Sequence, residues 1–95
     1  MIIRTVRMTF EQEKLGEFIE IFKAAQHKIE SFPGCKGVDL CRDMSQQNVM
    51  MTISIWDSVD SLENYRTSGL FTTTWTRTKE LFSDRPEAWT LQKIM

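Results

Sequence analysis

Ninety-five residues are enough for one domain, 1–95, with a single modest core, because domains run roughly 100–200 residues and a chain this short buries only about 60–65% of its unfolded surface. A separate cofactor domain, a TIM barrel and a kinase are excluded on size. Apolar residues at 41% and charged residues at 26% exclude a disordered chain, and 12 basic against 13 acidic residues, interspersed, leave no electrostatic footprint for nucleic acid or an anionic membrane.

Ile2 to Phe10 reads as a strand, with Ile2, Val6, Met8 and Phe10 on one parity and Arg4 the exception among them. Thr9 followed by Gln12 has the form of a capping box opening a helix. Leu15, Phe18, Ile19, Phe22, Gln26 and Ile29 recur at helical spacing and predict an amphipathic helix over about 11–31, which Pro33-Gly34 ends. Residues 35–43 form a second extended segment, with Val38 and Leu40 on one face and Gly37, Asp39 and Cys41 on the other. The polar stretch 44–48 is of hairpin length. Val49 to Trp56 is the most apolar strand: Val49, Met51, Ile53 and Ile55 share one parity, Met50, Thr52, Ser54 and Trp56 the other. Asp57 or Ser58 caps a short helix over about 58–67. Ser68-Gly69 interrupts it, a further helix covers about 69–83, and Ala88 to Met95 is the last strand.

The order β-α-β-β-α-β predicts an α+β, ferredoxin-like domain with one four-stranded antiparallel sheet and its helices on one face. The other sheet face, expected to carry Ile3, Met50, Trp56 and Ile94 or Trp89, then needs a cover. A homodimer packed sheet on sheet is expected. The N-terminus lacks the apolar stretch of a signal peptide and no window approaches 18 apolar residues, so neither a membrane span nor export is expected and the cytosol is the expected location. Cys35 and Cys41, six strand residues and about 20 Å apart, are too distant to pair with each other. With His27 the sole histidine, no Cys/His metal site is expected.

Ordinary catalytic sets are missing. His27 lies off the apolar stripe of its helix, no glycine-rich phosphate loop occurs, and Asp57 and Asp60 fit the electropositive start of a helix. The aromatic load stands out: three Trp, six Phe and one Tyr. These rings either fill the core or line a cleft between sheet and helices that would take a flat aromatic or quinone-like ligand. Tyr65, Trp75 and Arg4 are the candidate catalytic residues, and Met8, Val6, Phe71 and Phe22 the candidate substrate-binding residues. Tyr65 supplies a hydroxyl, Trp75 an indole donor and Arg4 a positive charge.

Phe32-Pro33-Gly34-Cys35, Leu40-Cys41-Arg42-Asp43, Trp56-Asp57-Ser58, Leu62, Ser68 and Phe71 resemble the antibiotic biosynthesis monooxygenase family along essentially the whole chain. The resemblance implies a dimeric α+β barrel. It also implies, for some members, oxidation of polycyclic phenols or quinols by O₂ with neither metal nor prosthetic group, so no cofactor is expected. Its heme-degrading branch uses an Asn, a Trp and an axial His where this chain has Val6, Tyr65 and Trp75. Tryptophan does not ligate iron, so heme degradation by that route is not expected. The quinol-oxidising branch often carries His where Tyr65 stands. Two functions fit: a small cofactor-independent monooxygenase acting on an aromatic small molecule, or a non-catalytic ligand-binding or stress-associated dimer of the same fold.

Overall fold

The computed structural model describes residues 1–95. Its elements are β1 (Ile2–Thr9), α1 (Leu15–Glu30), β2 (Cys35–Arg42), β3 (Val49–Trp56), α2 (Val59–Arg66), α3 (Gly69–Lys79) and β4 (Glu87–Gln92). All strands are antiparallel in one sheet of order β2-β3-β1-β4. The architecture is the expected α+β ferredoxin-like one, with all three helices over the same sheet face.

Local chemistry sets the element ends. Ser58 Oγ accepts from the Ser61 N–H at 3.1 Å and starts α2. Ser68 Oγ accepts from the Phe71 N–H at 3.2 Å and starts α3. Gly34 sits at φ +87°, where side chains are strained, and a Cβ there would overlap Ser61 Oγ and Cβ. The Asp57 N–H donates to the Gly34 carbonyl at 2.8 Å, which clamps this turn to the end of β3.

The expected capping box does not form. Glu11 precedes a 3-10 turn, Gln12–Lys14, without a side-chain cap, and α1 proper begins at Leu15. Thr9 is held instead as the last residue of β1, paired with Val49. The helix expected to reach residue 83 ends at Lys79, and Phe82 forms a backbone bridge to Phe10. β4 stops at Gln92, so Ile94 lies beyond the sheet.

One assignment of faces is reversed. Residues paired across a sheet share a face, and Met8 pairs with Met50 and Ile2 with Trp56. Met50 and Trp56 therefore point at the helices, and Trp56 is fully buried. The uncovered face carries Ile3 between Ile55 and Leu91, Thr5 between Ile53 and Trp89, and Arg7 between Met51 and Glu87. Trp89 is 44% and Leu91 49% exposed there.

Candidate active site

Between the sheet and its helices lies a cavity of about 260 Å³. Arg4, Val6 and Met8 of β1 enter it because they share one strand parity. Thr52 and Ser54 of β3 stand beside them, as the pairing of Val6 with Thr52 and Arg4 with Ser54 requires. On the helix side it meets Phe22 of α1, Tyr65 of α2, and Phe71 and Trp75 of α3. All seven candidate residues thus line one cavity. It opens beside β4, where Pro86 and Ala88 line it and are exposed.

Other lining residues were not singled out beforehand. Phe71, Thr74, Trp75 and Thr78 follow 3-4-7 spacing and share one face of α3, so helical periodicity around Phe71 and Trp75 points to the two threonines. Thr78 is buried with its hydroxyl donating to the Thr74 carbonyl at 2.8 Å. Ser54, also buried, accepts the Trp56 indole N–H at 2.9 Å. Its signal is a small hydroxyl on the inward parity of β3. His27 is exposed on α1 and touches none of this.

Tyr65 and Trp75 do not share a helix. Ser68 separates them, its hydroxyl donating to the Tyr65 carbonyl at 2.6 Å while it caps α3. Ring contacts join them nonetheless. Trp56 stacks on Tyr65 at 5.0 Å between centroids, Tyr65 meets Phe71 edge-on at 5.3 Å, and Phe71 stacks on Trp75 at 5.9 Å. The chain continues through Phe82 and Phe10 to Phe18, which stacks on Phe10 at 4.3 Å and meets Phe22 at 6.4 Å. Core and pocket are therefore one aromatic structure. The inner rings fix the rings that border the cavity.

The polar groups are few and specific. Burial pushes the Tyr65 phenol up to about 12, with nearby Cys35 adding to the shift, so the hydroxyl is protonated near neutral pH. Arg4 is half-buried, and its Nη1 donates to Thr90 Oγ1 at 2.7 Å. Burial lowers the Arg4 pKa below the usual arginine value. Neighbouring Arg66 lowers it further and Glu63 opposes. Arg66 also lines the cavity and pairs with Glu63 at 2.9 Å. Cys35 and Cys41 are both free thiols. The arrangement is an aromatic box with a neutral hydrogen-bond donor and two guanidiniums. It is suited to a flat ring whose oxygen carries negative charge.

The sequence profile for antibiotic biosynthesis monooxygenase matches residues 1–77. The chain belongs to the antibiotic biosynthesis monooxygenase family. No curated protein matches the sequence. Solved structures of the same fold include a conserved protein from Methanosarcina mazei Go1, at 19% identity over 98% of this chain and 93% of that one, with a TM-score of 0.91. Rv0793 from Mycobacterium tuberculosis is similar at 14% identity over 99% and 95%, with a TM-score of 0.91. A variant of SnoaB, a cofactor-independent oxygenase from Streptomyces nogalater, is similar at 18% identity over 99% and 93%, with a TM-score of 0.87. At these identities the likeness is one of fold, and in this member of the family the chemistry must be argued from its own cavity.

Proposed function

We propose that the protein is a small oxygenase that oxidises a phenolic or quinol-type aromatic with O₂ and needs no cofactor of its own. The observation that carries this reading is the aromatic cavity with Arg4 and a neutral Tyr65 on its wall. An electron-rich phenolate can itself reduce O₂, so the protein need only favour the anion, orient it and exclude water. Arg4 supplies the countercharge and Tyr65 donates to the phenolate oxygen. Trp75 and Phe71 stack on the rings, while Val6, Met8 and Phe22 hold them. For a naphthol-type substrate, one oxygen atom forms the new ring carbonyl. The other leaves as water with the ring hydrogen and the phenol hydrogen, so the substrate supplies every electron. SnoaB, described as a cofactor-independent oxygenase, supports the reading as a relative of the same fold.

Oxygen uptake with dihydroxynaphthalene and naphthol probes tests it. Tyr65→Phe and Arg4→Gln should each slow uptake by about tenfold or more, the scale of a hydrogen bond to a charged group, and Trp75→Ala should slow it by a similar factor through the lost stacking surface. Equal rates in wild type and all three variants would remove the site assignment. One observation favours a second reading, a non-catalytic ligand-binding dimer: no histidine lines the cavity and Tyr65 is too weak an acid to serve as a base. Tight probe binding without uptake in the wild type would select that reading.

The uncovered sheet face completes the proposal. Ile3, Met51, Ile53, Ile55, Trp89 and Leu91 form an apolar surface that a second copy would bury. The wild type is expected to be a dimer by light scattering, and Ile53→Glu, which places a charge at its centre, a monomer. A monomeric wild type at micromolar concentration would sink this part. Two free thiols suit the reducing cytosol.

A further inference from the structure

The cavity wall holds two charged side chains, Arg4 and Arg66, and no carboxylate. Both are guanidiniums, and they come close enough to repel. Arg4 is half-buried and its hydrogen bond goes to a neutral hydroxyl, that of Thr90. Arg66 is held by Glu63 on the next turn of the same helix. Such exposed pairs are weak, so a ligand can displace Glu63 at little cost. One phenolate needs one cation, and Arg4 provides it. Arg66 is surplus to that chemistry, yet it lines the same cavity and is exposed, as are Pro86 and Ala88 of its wall.

We propose that the cavity selects a fused-ring phenol bearing a carboxylate, the carboxylate being taken by Arg66 with Arg4 as its second neighbour. A carboxylate offers two oxygens to guanidinium donors, a match that neutral ring substituents lack. The anion relieves the repulsion between the two arginines, while the apolar rings enter among Tyr65, Phe71 and Trp75. Arg66 is thereby a specificity-determining residue. The inference rests on the reading of this cavity as the substrate site.

Titration calorimetry at low salt with 4-hydroxy-1-naphthoate and its neutral isostere 4-hydroxy-1-naphthamide separates the two ideas. The wild type should bind the carboxylate about tenfold more tightly than the amide, and raised salt should shrink that ratio. Arg66→Gln, at an exposed position that leaves the core intact, should bring the ratio within about threefold by weakening carboxylate binding more than amide binding. Arg4→Gln should weaken both ligands. Equal affinity for the two ligands in the wild type would overturn the carboxylate proposal and leave the cavity reading standing. So would a preference that survives Arg66→Gln. Failure of the wild type to bind either ligand would overturn both.

Discussion

Trp56→Ala should cost about 3–5 kcal/mol of folding stability, the range for deleting a buried large aromatic side chain. Trp56 is fully buried at the end of β3, stacks on Tyr65 at 5.0 Å and meets Phe32 edge-on at 6.4 Å. Its indole N–H satisfies the buried Ser54 hydroxyl at 2.9 Å. Truncation removes the ring volume, both aromatic contacts and that donor together. A domain of this size is stable by roughly 5–15 kcal/mol, so about a fifth or more of the total would be lost. Urea unfolding should show a lower midpoint with an unchanged slope. Trp56→Phe retains most of the ring and should cost less, the remainder reflecting the hydrogen bond left unmade at Ser54. A midpoint for Trp56→Ala equivalent to less than about 1 kcal/mol of lost stability would mean that the residue faces outward, and the β3 register would then be wrong.

That register is where sequence reading and structure part. The strands, helices and their order were legible because period-2 and period-3.6 patterns coincided with turn residues, as at Pro33-Gly34 and Ser68-Gly69. The facing of β3 was not. Val49, Met51, Ile53 and Ile55 make its odd parity the more uniformly apolar, and an isolated chain would bury that side. The helices instead cover the even parity, where Thr52 and Ser54 line a cavity rather than a dry core. Met51, Ile53 and Ile55 of the odd parity stay on the uncovered face, while Val49 at the start of the strand is buried. Pairing resolves the conflict, because Met8 and Met50 must share a face, and pairing is a long-range property that composition does not encode. The site was more legible than the sheet. Arg4, Val6 and Met8 follow from the parity of one strand, and Phe71 and Trp75 from one helical face. Thr52 was hidden, because its approach to the cavity depends on how β3 sits against β1.

The alkaline limb of stability should report Tyr65 directly, because it is the sole tyrosine in the chain. Burial raises its phenol to about 12 from an ordinary value of 10.0, and Cys35 adds to the shift. Below pH 10 the phenol is neutral in both folded and unfolded chains, and its burial stabilises the fold in full. Between pH 10 and about 12 the unfolded chain releases the proton while the folded chain retains it. Stability is therefore lost as pH rises through that window, by about 2–3 kcal/mol for a shift of this size. Tyr65→Phe has no proton to release and should lack this component, although lysine and arginine titration remains common to both proteins. The ultraviolet absorbance of tyrosinate should titrate near pH 12 in the folded protein and near 10 when denatured. Absorbance rising near pH 10 in the folded state, or identical alkaline losses in wild type and variant, would show that the phenol is solvated. A phenol that stays protonated throughout the neutral range cannot accept a substrate proton. Under the proposed function Tyr65 would therefore serve as a hydrogen-bond donor, and lowering the substrate's own pKa would fall to Arg4.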